Sequence, residues 1–241
     1  MKKNTARNSE QKFAYYMDLL SHDVLNNNQA VLGYLELILA AGGVDKTTRK
    51  YAQKAVSHIR TSTILVDNVK RLMVTREMDS SELKPTNLIV ALNSAEREVV
   101  RMFPDRKVVV KIPSKISEML VVGDGAASDL VLNLLVSMVR LDPSEAITLE
   151  FKLSEVSVRG KDWLQLTLED PTAHMPKMAK DMPIEDAYQE DSSIAVKMVG
   201  ILYCKMMAGL LGGGFEVREL NNKAEPKGAV FVTTLLKAGE P

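Results

Sequence analysis

The chain of 241 residues has one cysteine, no excess of charge of either sign and no apolar run long enough to cross a bilayer. Each scarcity removes a class of function. Cys204 alone cannot form an internal disulfide, which suits a reducing, cytoplasmic compartment. Lysine plus arginine (31) equals aspartate plus glutamate (31), so there is no global electrostatic case for nucleic acid. The N-terminal MKKNTARNSEQK is basic but has no apolar stretch behind it, so it is not a signal peptide. The most membrane-like segment, Met198 to Phe215, is interrupted by Lys205 and ends in Gly212 to Gly214. A spanning helix wants about 20 apolar residues. The segment reads as a buried helix running into a turn, and no membrane insertion is expected.

What remains is ordinary for a soluble globular protein, with 46% apolar and 26% charged residues. Residues 9 to 41 hold no proline, and no glycine before Gly33. Asn8, with Gln11 three residues on, predicts a capped helix start. Phe13, Met17, Leu20, Val24, Asn27, Val31, Tyr34 and Ile38 follow at 4-3-4-3 spacing, a seam suited to helices packed side by side. Gly42-Gly43 predicts a left-handed stop, and Asp45 or Thr47 a cap for the next helix.

A second helix is predicted from about 46 to 77, with two stripes. Ala52, Val56, Ile59, Thr63, Val66 and Met73 form one; Tyr51, Ala55, Leu65, Val69 and Leu72 form the other. One hairpin cannot bury both, which predicts a homodimeric four-helix bundle. After Ser80-Ser81 the texture changes, and Pro85 marks a linker, dividing the chain at 1–80 and 81–241. Beyond it, helices are predicted at 88–102, 126–140 and 193–211. Strands are predicted at 107–112, 120–122, 147–153, 163–168, 215–219 and 229–236. Grouped helices and antiparallel strands predict an α+β sandwich with helices on one face.

The chemistry concentrates in Ser21-His22-Asp23-Val24-Leu25-Asn26-Asn27-Asn28-Gln29. At about 100° per residue His22 lies about 160° from Leu20 and Val24, nearly opposite the seam. Asp18, Asn26, Gln29 and Gly33 share its strip, leaving a polar, low-relief face open to an incoming protein. A neutral imidazole is a nucleophile, and a carboxylate accepting its second N–H fixes the tautomer. Asp23 suits that task, and Asn26 is placed to hold a water. His58 on the second helix reads as bundle packing. His174 lacks a metal-spaced partner, and no resident metal is expected. Cys204 and Trp163 read as core.

The stretch SHDVLNNNQAVLGYLELI resembles the H-box of sensor histidine kinases, in a style found in methanogenic archaea. Residues 10–77 are similar to that family's dimerisation and phosphotransfer hairpin. The resemblance implies that His22 is the phosphorylated residue, Asp23 its general base and Asn26 the phosphatase residue. Residues 86–238 are similar in layout to the family's ATP-binding domain, the Bergerat-type fold shared with gyrase and MutL-type ATPases. VLNLLVSMVRL, 131–141, fits the N-box helix; GGGFEVRE and KGAVFVTTLL fit the closing strands. The functional positions depart from the family. Ser137 stands where the Mg²⁺-coordinating asparagine belongs. Asp170 keeps the adenine-reading position, but the following two glycines are Thr172 and His174. Of the glycine-rich phosphate segment, aligned with 196–200, only Gly200 remains. Glu185, Asp186, Glu190 and Asp191 add charge that repels a triphosphate. Gly212 to Gly214 follow a helix and read as its C-terminal turn.

These residues imply a homodimeric histidine phosphotransferase on a histidine-kinase scaffold, with a degenerate ATPase-like domain. Phosphotransferases of sporulation and cell-cycle relays share the plan. The partners implied are response-regulator receiver domains, a second copy of the chain and an upstream histidine kinase. No cofactor is expected, and ATP with Mg²⁺ belongs only to the alternative of an active kinase with divergent motifs. A non-catalytic pseudokinase scaffold is the other alternative.

Overall fold

The computed structural model describes residues 2–74, 83–113, 119–158, 160–174, 192–220 and 228–238, with side chains at 2–14, 72–74, 158 and 192–196 left aside. The chain divides into two compact units, Met1–Met78 and Asp79–Pro241. Phe13, Leu72, Met73 and the Ser80-Ser81 boundary, with the acidic group 185–191, lie outside the described side chains.

The first unit is a helical hairpin, α1 (Lys2–Ala40) and α2 (Lys46–Val74). Helix α1 starts at Lys2, so Asn8 lies inside the helix and is not its cap. Nothing in 2–8 breaks a helix, and Asn in a helix interior costs only a fraction of a kcal/mol, roughly 0.7 at most. Gly43 takes φ +85°, the left-handed conformation that ends the turn. Asp45 caps α2: its Oδ1 accepts from Thr47 N (2.8 Å) and Thr48 N (3.0 Å).

The strip of α1 shielded within the hairpin is a different one from the apolar seam seen in the sequence. Ser21 is 1% exposed, and Leu25, Asn28, Leu32, Leu35 and Leu39 are shielded with it at 4-3-4-3-4 spacing. Asn28 Nδ2 donates across to Ser62 Oγ (3.3 Å) and Thr63 Oγ1 (3.2 Å). This strip, four leucines with Ser21 and Asn28 among them, faces α2. Leu20, Val31, Tyr34 and Ile38 of the expected seam stand exposed within the single chain. On α2, Ala52 and Val56 are buried, and Tyr51 and His58 are exposed within the single chain.

The second unit is an α/β sandwich. Strand β1 (Pro85–Asn87) pairs antiparallel with β3 (Leu120–Val122), so Pro85 opens a strand where a linker was expected. Asn87 then caps α3 (Leu88–Met102), its Oδ1 accepting from Ile89 N and Val90 N. Leu88, Ala91, Leu92, Ala95, Val99 and Met102 bury one face of α3. The main sheet orders β2 (Lys107–Lys111), β4 (Ala146–Val158), β5 (Lys161–Asp170), β7 (Ala229–Leu236) and β6 (Gly214–Glu219). Strands β2 and β4 run parallel, against the expected all-antiparallel arrangement; the other pairs are antiparallel. Helices α4 (Asp124–Leu141) and α5 (Ser192–Leu210) complete the unit.

Alternation sorts the two sheet faces. Leu164, Leu166 and Leu168 of β5 are buried beside Leu235 and Phe231 of β7 and Phe151 of β4. Asp170 continues that inward row, which is why a carboxylate lies 0% exposed at its end. Trp163 has the opposite parity and is only half-buried, so it is not part of the leucine core. Gly212 (φ +75°), with Gly213 N donating to Ala208 O and Gly212 N to Gly209 O, closes α5 as expected.

Candidate functional site

Burial of Ser21 orients α1 and thereby turns His22, one residue on, into solvent. The His22 side chain is 68% exposed and that of Asp23 70%. His22 Nδ1 lies 3.3 Å from Asp23 Oδ1. Asn26 Nδ2, one turn on, lies 3.3 Å from each ring nitrogen. With Asp23 accepting the Nδ1 proton, Nε2 carries the lone pair. One turn before, Asp18 Oδ1 receives Lys70 Nζ from α2 at 2.6 Å. The Lys70 ammonium holds the Asp18 carboxyl below its usual range, and the His22 ring acts in the same direction. The sequence brought together His22, Asp23 and Asn26. It did not show Lys70, because the pairing depends on the hairpin register.

The three other expected positions lie in the sandwich. Asp170 Oδ1 accepts from Thr172 N (2.8 Å) and lies 2.9 Å from Thr172 Oγ1. That hydroxyl is also 2.5 Å from Asp142 Oδ2. One hydroxyl hydrogen can be donated to only one of the two carboxylates at a time. Burial pushes the Asp170 carboxyl up, and Asp142 beside it adds to the rise. Burial acts on Asp142 in the same sense, but hydrogen bonds from Thr172 and Ser144 outweigh it and hold that carboxyl low. Asp170 Oδ2 is buried without a hydrogen-bond partner among the described residues. Arg106 ties the neighbouring chain together by donating to the carbonyl oxygens of Val139, Asp142 and Ser144. His174 Nδ1 sits 2.8 Å from Thr172 O, and among the described residues no His, Cys, Asp and Glu cluster suits a metal ion.

Ser137 and Gly200 meet directly. A Cβ on Gly200 would stand 2.4 Å from Ser137 Oγ, so the glycine lets α5 approach α4. Cys204, one turn on, is fully buried and bonded to Ser137; burial pushes its thiol up. Helix α5 runs unbroken from Ser192, so 196–200 are helical. Beyond a helix's first four residues each N–H is committed to the carbonyl four residues back.

No family model matches the sequence, and no curated protein matches it. Solved structures do match. Full-length ShkA in complex with AMPPNP is 15% identical with a TM-score of 0.54, over 94% of this chain and 47% of that chain. The mycobacterial sensor histidine kinase MprB is 18% identical, TM-score 0.46, over 64% of this chain and 97% of that one. The ATP-binding domain of PrrB from Mycobacterium tuberculosis is 19% identical, TM-score 0.44, over 66% and 99%. The chain has the fold of a histidine kinase core.

Within that kinase-core fold, the α+β architecture and the N-terminal helical hairpin are as the sequence led one to expect. Among the described residues no helix is long and apolar enough to cross a membrane.

Proposed function

We propose that this chain is a histidine phosphotransferase of a two-component relay, working as a homodimer and exchanging phosphoryl groups between His22 and receiver aspartates. The observation that carries the reading is the exposed His22 imidazole with Asp23 on Nδ1. In the forward step Nε2 attacks the phosphorus of a receiver acyl phosphate. The P–O bond breaks with its electron pair returning to the receiver carboxylate, and a P–N bond forms. The Nδ1 proton stays on the ring, accepted by Asp23, which offsets the positive charge developing there. Asn26 is the residue that positions a water for hydrolysis of a phosphoryl group on His22 or on the docked receiver.

Ser137, Asp170 and Gly200 do not fit a Mg²⁺–triphosphate. Ser137 Oγ is packed on Gly200 and Cys204, and the backbone N–H groups of 196–200 belong to a helix interior. Phosphate therefore arrives from a phosphorylated receiver or an upstream kinase, and Mg²⁺ is the receiver's own. The exposed stripe Leu20, Val31, Tyr34 and Ile38 supports the dimer.

One observation favours an active kinase instead: Asp170 Oδ2 is buried with no hydrogen-bond partner among the described residues, as a carboxylate awaiting a base amino group would be. Calorimetry with ATP and Mg²⁺ separates the two. A micromolar dissociation constant, about −8 kcal/mol, selects the kinase; no measurable heat selects the phosphotransferase. Indifference of signalling to His22→Gln selects a docking scaffold.

A further inference from the structure

A phosphoryl group on His22 adds about two negative charges to a strip that already holds two carboxylates. Asp18 is one turn before the histidine and Asp23 is bonded to its ring. A docked receiver would bring more negative charge to the same face. The hairpin supplies a cation there from the other helix. Lys70 Nζ sits on Asp18 Oδ1 at 2.6 Å, and both side chains are substantially exposed, at 43% and 65%. An exposed ion pair of this kind is weak. Residues four apart on a helix have Cβ atoms about 5–6 Å apart. Lysine's flexible stem covers such a distance, so Nζ reaches the space over His22 without any movement of the helices.

We propose that Lys70 is the phosphoryl-binding cation of the His22 site, parked on Asp18 in the free protein and transferred to the phosphoryl oxygens once His22 is phosphorylated. The assignment rests on the phosphohistidine reading above and adds a residue to it. Asp18 acts as a competitor: it holds Lys70 in place before the reaction and must release it afterwards. Removing either partner breaks the same ion pair, yet the two removals act oppositely on a phosphoryl group. A purely structural pair predicts equal consequences.

The test uses phosphoramidate on the full chain, which needs no receiver. Its P–N bond breaks with ammonia leaving, and a P–Nε2 bond forms to the neutral imidazole, whose ring proton stays on Nδ1. The phosphoryl resonance, absent in His22→Gln, is titrated by ³¹P NMR. The proposal predicts that Lys70→Gln raises the phosphoryl pKa by about 0.5–1 unit, roughly three- to tenfold in proton affinity. Lys70→Arg should stay near wild type, and Asp18→Asn should leave the pKa unchanged or lower it. Circular dichroism and thermal melts of Lys70→Gln and Asp18→Asn separate any loss of helix from loss of the contact. Equal titration in wild type and Lys70→Gln overturns the proposal, as does an equal shift in Lys70→Gln and Asp18→Asn. So does a wild type whose His22 takes no label. If the shift is found but phosphorylated receivers transfer nothing, the Lys70 assignment stands and the transfer reading falls.

Discussion

The two units solve burial in opposite ways. In the sandwich, Leu88, Leu92, Leu130, Leu134, Leu135, Met138, Ile147, Leu149, Leu164 and Leu166 are all essentially without solvent contact. In the hairpin, the buried residues are small or polar, namely Ser21, Ala52, Val56, Ser57 and Asn68 among the described residues. Of its large apolar side chains, Leu20, Val31, Tyr34, Ile38 and Tyr51 stand in solvent, while Leu25, Leu32, Leu35 and Leu39 are half-buried. The sandwich is complete as a single copy, and packing reaches into the positions where the resemblance places a nucleotide. The hairpin is an unfinished surface carrying an open histidine. In the proposed function the chemistry falls to the unit with the smaller core and support to the one with the larger.

The largest expected effect comes from charging the exposed stripe of α1. Val31→Asp with Ile38→Asp should shift sedimentation from dimer to monomer, weakening association by at least about a hundredfold, roughly 3 kcal/mol. The sandwich should melt unchanged. A full-length wild-type monomer at micromolar concentration would remove the dimer from the account.

Next in size is the core itself. Leu134→Ala should cost about 2–5 kcal/mol in chemical denaturation, whereas Tyr34→Ala in the isolated protomer should cost little, because Tyr34 is 69% exposed. Comparable losses at both sites would mean that the contrast between the units is false.

Gly200→Ala sharpens the comparison at the degenerate site. The added Cβ falls 2.4 Å from Ser137 Oγ, so stability should drop by about 1–3 kcal/mol. Ser137→Ala in the same chain should recover most of it. A Gly200→Ala protein of wild-type stability would mean that the glycine is there for something other than helix contact.

How far these contrasts were legible in the sequence depended on periodicity. The limits of α3 and β7 were as read from the sequence, the alternation at 163–168 marked β5, and the α5 stop followed from Gly212. His22, Asp23 and Asn26 share one helix, so their spacing alone placed them. Lys70 did not, because its partner Asp18 lies 52 positions away and only the hairpin register joins them. Which face of α1 meets α2 was not legible for a related reason. The seam with Leu20, Val31, Tyr34 and Ile38 is apolar, but the strip with Leu25, Leu32 and Leu35, where Asn28 bonds Ser62 and Thr63, is shielded in the hairpin. Thr172 was read as a lost glycine; its bonds to Asp142 and Asp170 come from residues brought together by α4 and β5.

The acid pair yields the smallest effects, of opposite sign. Asp170 is raised, so its stabilising contribution is present at low pH and lost as pH rises through its folded-state value. Asp142 is lowered, so its contribution is present at neutral pH and lost as pH falls. Melts of Asp170→Asn should gain on wild type as pH rises toward neutrality, and those of Asp142→Asn should lose. Parallel trends in the two variants would contradict the opposite directions of the two carboxyls.

Whether the open histidine of the hairpin accepts phosphate is measured most directly by transfer from labelled, phosphorylated receiver domains of the same genome to the full chain. Acid-labile label should appear on wild type and on Gly200→Ala and be absent from His22→Gln that is folded by circular dichroism. Asp23→Asn should slow its appearance by about 10²–10⁴-fold. Label on folded His22→Gln, or none on wild type from any receiver tried, would contradict the assignment of His22 as the phosphoryl carrier.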